Sequence, residues 1–237
     1  MGVRAVVFDW GGTLTPWHDI DLYAQWYAYA EVYDPVNASA LAHRLLGGEE
    51  ARWQAQRMSS GATAAGALDQ LFLDEGIDIT SARHLGALAS YFDFWAPHTY
   101  AHPDAARVMW TLRDRGVRVG VLSNTMWTGA HHAEVFARDN LDSYIEAAVY
   151  TSEIPVAKPH RDAFLAVLDL LDVSPEESVY VGDRLWDDVH GAQQVGMRAI
   201  WVPHSQIPEH QRVDDSAQPD AVAHELADVL DIVAAWQ

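Results

Sequence analysis

The chain contains no cysteine. That excludes disulfides, thiolate zinc sites, iron–sulfur clusters and a cysteine nucleophile together. Positive charge is scarce: 15 Lys and Arg stand against 34 Asp and Glu in 237 residues, a formal net charge of -19. Such a surface does not suit coating nucleic acid, where phosphate contacts need a basic face, or docking on an anionic membrane. A small anionic substrate is compatible with it only where a local charge, such as a metal ion, overrides the global field. Lysine is nearly missing, and Lys158 is the single one. No apolar run is long enough to span a bilayer, and the short run ending at Asp9 is too brief for a secretory signal. The expectation is a cytoplasmic protein, monomeric or homodimeric.

What is present is enough for a core, with hydrophobic residues at 49%. The length suits one large domain, or one domain carrying an insert. Ala5 to Phe8 is wholly apolar and stops at Asp9, with Gly11 and Gly12 just beyond. It reads as a buried strand ending in a sharp loop. Val117 to Leu122, Ser178 to Val181 and Ala199 to Val202 look the same, and Ala147 to Tyr150 is a weaker case. Helical patterns lie between them, over Asp104 to Arg115, Arg161 to Leu171 and Asp188 to Val195, with a last one over Ala221 to Ala235. Apolar strands alternating with helices predict a parallel sheet with helices on both faces. Gln206 to Asp220 reads as a loop.

One stretch breaks the alternation. From Trp17 to Trp95 helical spacing recurs in Tyr23–Val32, Ser39–Leu46, Ala51–Met58, Ala64–Leu73 and Ser81–Phe92, with no strand. The expected organisation is an α/β core from residues 1–16 and 97–237, and a helical insert over 17–96.

An aspartate ending a strand is usually a turn or cap residue, but here every major strand end carries a different polar group. Asp9 ends the first strand, Ser123-Asn124-Thr125 follows the second, and Gly182-Asp183 with Asp187 and Asp188 follows the fourth. Lys158-Pro159 lies in a loop before the helix from Arg161. In open α/β sheets, sites lie at the carboxyl ends of strands. In this order the four segments resemble the haloacid dehalogenase superfamily of hydrolases, across nearly the whole chain. The resemblance implies a Rossmann-like parallel sheet with an inserted helical cap of the first type.

It also implies roles. Asp9 would be a nucleophile that becomes a transient aspartyl-phosphate. Ser123 would hold a phosphoryl oxygen, with Asn124, Gly12 and Trp10 beside the substrate. Lys158 would neutralise charge around Asp9 and the phosphate. Asp183 would ligate Mg²⁺ with Asp9 and the carbonyl of Gly11, and Asp188 would support the metal or Lys158. Asp187 reads as a helix-start residue. The implied substrate is a small phosphorylated metabolite, with no nucleic acid or membrane partner.

The departure is at Gly11, where phosphatases of this family carry a second aspartate that protonates the leaving oxygen and activates water. One reading is a hydrolase acting on a good leaving group, such as an acyl phosphate, or one with another proton donor: His18, Asp19 or Asp21. Phosphonatase chemistry is rejected, because it needs a cap lysine and the insert has none. Halide-displacing dehalogenases also lack the second aspartate, but they work without metal and do not use the carboxylates at 183 and 188. A binding protein that kept the fold and lost the acid is the remaining alternative. Trp10, Trp127 and Trp186 lie in motif loops and read as packing or as an aromatic rim. The His131–His132 and His98, His102 pairs read as surface residues.

Overall fold

A computed structural model describes residues 2–16, 20–203 and 216–237. Its centre is a parallel sheet of six strands: β1 (Ala5–Phe8), β2 (Arg118–Ser123), β3 (Ala147–Tyr150), β4 (Ser178–Gly182), β5 (Arg198–Trp201) and β6 (Ala221–Val222). Their order across the sheet is β3-β2-β1-β4-β5-β6. Each parallel pairing requires a crossover. Helices α5 (Ala105–Asp114), α6 (Gly129–Arg138), α7 (Arg161–Leu171) and α8 (Gly191–Val195) lie on the connections between β1 and β5, and α9 (Val229–Ala235) follows β6.

The continuous apolar reading of β1 follows from burial on both faces. Val6 and Phe8 join Val119, Val121, Val179 and Val181 under α5 and α9. Ala5 and Val7 point the other way, to Leu122, Tyr180 and the apolar face of α7. Phe8 is level with Val121 on one side and Val181 on the other. The register therefore sets Asp9 one residue past Phe8, beside the ends of β2 and β4, and the Asp9 amide donates to the Val181 carbonyl at 2.9 Å.

Between β1 and β2 run α1 (Leu22–Tyr33), α2 (Ala38–Met58), α3 (Leu68–Asp74) and α4 (Ala82–Trp95). They share an apolar cluster that also takes in Met126 and Trp127 from the loop after β2. Ser39–Leu46 and Ala51–Met58 prove to be one helix, running through Gly47 and Gly48. A Cβ at Gly48 would meet Leu71 Cδ1 at 2.5 Å, so the glycine serves close packing of α3 on α2 rather than a break.

Two further expectations are corrected. Ala221 begins a strand, not a helix: β6 pairs with β5, and the helix starts only at Val229, after a capping box between Glu225 and Asp228. Asp188–Val195 is also not one regular helix; Leu185–His190 forms a wider π-type turn that leads into α8. Most of the Gln206–Asp220 loop, and His18 and Asp19, lie outside the described residues. Among the described residues, no helix is long and apolar enough to cross a membrane.

Candidate active site

Lys158 is the centre of the cluster. Its Nζ donates to Asp9 Oδ1 at 2.8 Å, to Asp188 Oδ1 at 2.6 Å and to the Tyr180 hydroxyl at 2.8 Å. These three bonds use all three ammonium protons. Tyr180 in turn donates to the Leu122 carbonyl at 2.9 Å, fixing the lysine against the sheet. The ammonium is almost fully enclosed, 3% exposed as a residue. Burial alone disfavours its charge, but Asp188, Asp9 and Tyr180 outweigh that and hold its pKa well above the ordinary value.

The loop that carries Lys158 is clamped from β2. Asn124 accepts from the Lys158 amide at 2.9 Å and donates to the Lys158 carbonyl at 3.1 Å. Both ends of its side-chain amide therefore grip the lysine backbone and position the loop.

Asp188 is equally committed. Its Oδ1 receives Lys158 and its Oδ2 accepts from the Arg184 amide at 2.9 Å. A Cβ at Gly182 would fall 2.4 Å from Asp188 Cγ, so only glycine lets this carboxylate reach the strand end. Asp183 packs on the first loop. Gly12 has φ +88°, and a Cβ there would sit 2.4 Å from Asp183 Oδ2. Ligand oxygens of Asp9, Asp183 and Asp188 all lie within 4.8 Å of one another, and all three residues are buried.

The charge balance of this cluster is informative. Asp9, Asp183, Asp187 and Asp188 act on Arg184 and offset the burial that works against its charge. With Lys158, that makes four carboxylates against two cations. Burial pushes the Asp9 carboxyl up to about 7; Lys158 opposes this, and Asp188 and Asp183 add to it. Burial likewise pushes Asp187 up to about 6 against the pull of Arg184. Asp187 lies in the first turn of the π-type segment, as a helix-start residue should. Hard oxygen donors gathered within 4.8 Å, with carboxylates outnumbering cations among the described residues, fit a divalent cation such as Mg²⁺.

Around this polar centre lies an aromatic wall. The Trp10 carbonyl gathers the amides of Leu14 and Thr15 and fixes the loop after Asp9. Its ring meets Trp127 at 5.5 Å and the edge of His132 at 4.7 Å. His132 is fully buried, stacked on Tyr150 at 4.3 Å, with Nε2 3.2 Å from Thr125 Oγ1. Burial drives its pKa down to about 3, so it is a neutral core histidine and not a surface residue. His131 stacks on Phe92 of α4 at 3.6 Å, joining the core to the helical segment. Trp186 stacks on His190 at 4.4 Å. Asp21 is absorbed by capping α1, where it accepts from the amides of Tyr23 and Ala24.

Ser123 ends β2 and is buried, one residue before the Asn124 clamp. Two participants escaped the sequence reading. Tyr180 looked like one more apolar strand residue, and Arg184 like a loop residue after Asp183. The signal for each was a polar group within or next to a buried segment.

A family model for haloacid dehalogenase-like hydrolases matches residues 3–196. The chain belongs to that family. Among curated relatives, it is 28% identical over 147 residues to a glyceraldehyde 3-phosphate phosphatase of Methanopyrus kandleri, covering 62% of this chain and 62% of that protein. The chain thus spans less than two thirds of that relative's length. Among solved structures, a HAD phosphatase from Thermococcus onnurineus superposes with a TM-score of 0.69 at 20% identity, covering 98% of each chain. A 2-haloacid dehalogenase from Pseudomonas syringae gives 0.63 at 23% identity, covering 99% of this chain and 100% of the other. Phosphatase and dehalogenase share this fold, so the chemistry has to be argued from the site.

Proposed function

We propose that this hydrolase-family chain is a Mg²⁺-dependent phosphohydrolase that acts on a small phosphorylated metabolite through an aspartyl-phosphate at Asp9. The observation that carries the reading is the clamp of Lys158 between Asp9 and Asp188, with the Asp183 carboxylate alongside. Asp9, Asp183 and the Gly11 carbonyl would hold the metal. Asp188 lies behind Lys158 and fixes it. Bound there, Mg²⁺ supplies electrostatic neutralisation of a phosphate in a pocket that is otherwise strongly negative.

The residues of the chain then do the following. Lys158 favours the ionised form of Asp9 against the burial that opposes it, and draws in a phosphoryl oxygen. The β1–β4 register and the Gly12 turn aim the Asp9 carboxylate without an ordering loop. Ser123 offers a hydroxyl donor to the phosphoryl group. An Asp9 oxygen forms a bond to phosphorus, and the bond to the leaving oxygen breaks with its electron pair. Water then attacks phosphorus and frees Asp9, and its proton ends on the released phosphate. With glycine at 11, no carboxylic acid there protonates the leaving group, which favours leaving groups of low basicity. Helices α1–α4 act as the cap, contacting the core through Met126, Trp127 and His131.

Phosphate release from acetyl phosphate and a panel of phosphate esters, with Mg²⁺ and with chelator, tests this. Mg²⁺-dependent turnover on at least one of them is expected. Specific phosphate-ester binding with no turnover on any would replace the reading with that of a binding protein, which Gly11 favours.

A further inference from the structure

The reaction as described leaves one polar cluster unused, and it lies in the helical segment. Glu49 of α2 is partly exposed and lies beside the indole rings of Trp26 and Trp53. Its Oε2 accepts from Gln25 Nε2 at 2.8 Å and from Trp26 Nε1 at 2.7 Å, and its Oε1 from Trp53 Nε1 at 3.4 Å. Burial raises its pKa, and these three donors oppose the rise. Beside it Gln25 has no exposure at all, and its Oε1 is a buried acceptor with no hydrogen-bond partner. The amide cannot be turned to repair this, because its nitrogen is already committed to Glu49. The Gln25 carbonyl lacks a hydrogen-bond donor, and the Glu49 carboxylate beside it is held by neutral donors only, with no cation paired to it among the described residues.

The cluster is connected to the catalytic loops. Trp26 lies 5.0 Å from the Tyr91 ring, and Glu49 is close enough to add to the raised pKa of the Tyr91 hydroxyl after burial has done most of it. Tyr91 receives the Trp127 indole N–H at 3.2 Å. Trp127 packs on Trp10, next in sequence to Asp9. An aromatic path therefore runs from the nucleophile's loop to Glu49.

Resting on the phosphohydrolase reading, we infer that Glu49 and the Gln25 carbonyl recognise an ammonium group on the substrate. The substrate class is an amino-alcohol phosphate, cationic at one end and phosphorylated at the other. Aromatic faces with a buried acceptor are the chemistry that selects an organic cation. Among the described residues of the insert, no basic side chain is placed beside Glu49 to receive a substrate carboxylate. The insert has no lysine, and its arginines are engaged or exposed: Arg44 pairs with Glu75, Arg52 with Asp74, Arg83 lies over Tyr33, and Arg57 faces solvent. The class also suits Gly11. An ammonium close to the ester oxygen withdraws electrons from it, and the oxygen departs more readily without a proton.

The test compares aminoethyl and aminopentyl phosphate with ethyl and pentyl phosphate, with Mg²⁺, on wild type, Glu49→Gln and Gln25→Leu. Wild type should prefer at least one amino ester over its neutral partner by about tenfold or more in kcat/KM, and both variants should lose most of that preference. A purely structural Glu49 would lower the melting temperature and leave the ratio intact, which would overturn the inference, as would equal rates on both ester types in wild type. Titration with ethylammonium and pentylammonium chloride, followed by tryptophan fluorescence, reads the cation site without turnover. Saturable quenching that Glu49→Gln abolishes supports it; absence of quenching with either amine counts against it. Turnover of both ester types without preference leaves the phosphohydrolase standing and removes the cation site. Amine binding without turnover of any phosphate does the reverse.

Discussion

Lys158 and Asp188 form the shorter of the two ion pairs that Lys158 makes with Asp9 and Asp188, 2.6 Å apart with the lysine side chain 2% exposed and the carboxylate fully enclosed. The second oxygen of Asp188 holds the Arg184 amide. The residue thus braces two loops at once, and its charge offsets the cost of burying the lysine. Asp188→Asn keeps the shape but loses one acceptor and the charge. Turnover should fall about a hundredfold, while Mg²⁺ affinity by calorimetry falls less than in Asp183→Asn. Equal loss of Mg²⁺ binding in the two variants would make Asp188 a metal ligand first and a lysine support second.

The two glycines of the first loop should respond in opposite ways. Gly11 has no left-handed φ, and a Cβ there meets nothing within 4 Å. Gly11→Asp should fold normally, with stability changed by less than about 0.5 kcal/mol. It should raise the rate on a poor-leaving-group alkyl phosphate by up to about 10²-fold and matter less for an acyl phosphate. At Gly12 the positive φ and the contact with Asp183 leave no room, and Gly12→Ala should cost about 1–3 kcal/mol and weaken Mg²⁺ binding. A folded Gly11→Asp with no gain on the alkyl ester would count against the leaving-group account.

The fold was legible because its strands are buried on both faces. Ala5–Phe8 and Ala147–Tyr150 match the observed strands residue for residue. The ends that failed were decided by distant partners. Gly48 looks like a breaker until Leu71 is seen against it, and Ala221–Val222 looks helical until β5 pairs with it. The site divides the same way. Asp9 and Asp183 stand out as polar residues at strand ends, Lys158 and Asp188 in the segments beyond, and the structure brings the four together. The grip of Asn124 on Lys158 was not legible, because only the fold reveals that the Lys158 backbone lies opposite. His132 was misread since nothing local shows that Tyr150 and Trp10 enclose it.

Stability and metal binding should be linked through pH. In the metal-free fold burial pushes the Asp9 carboxyl up to about 7, against about 3.8 for an unburied one. A raised carboxyl pKa contributes stability that is complete below the unfolded value and is lost as pH rises through the folded one. Mg²⁺ competes with that proton, so it should restore most where the loss is greatest. The gain in melting temperature on adding Mg²⁺ is expected to be larger at about pH 8 than at about pH 5. A larger gain at the lower pH would show that Asp9 is not the group that couples the two.

The final prediction separates a nucleophile from a metal ligand at Asp9. The residue follows a strand paired on both sides, its amide is fixed on Val181, and one of its oxygens is held by Lys158 at 2.8 Å. That leaves its other oxygen for attack or for metal. Asp9→Asn removes the charge and the nucleophilicity at nearly constant volume. Because the carboxylate is buried and its ionisation disfavoured, the variant should fold and melt no lower than wild type at about pH 8 in metal-free buffer. Turnover should fall to background. Beryllium fluoride, which forms a phosphoryl-like adduct on a carboxylate, should stabilise wild type in the presence of Mg²⁺ and leave Asp9→Asn unchanged, read as a shift in melting temperature. Asp183→Asn supplies the contrast, since it retains the acceptor carboxylate and loses only the metal's support, so its response should return at high Mg²⁺. If Asp9→Asn kept near wild-type turnover, no aspartyl-phosphate would form at this position and the proposed reaction would fail at its first step.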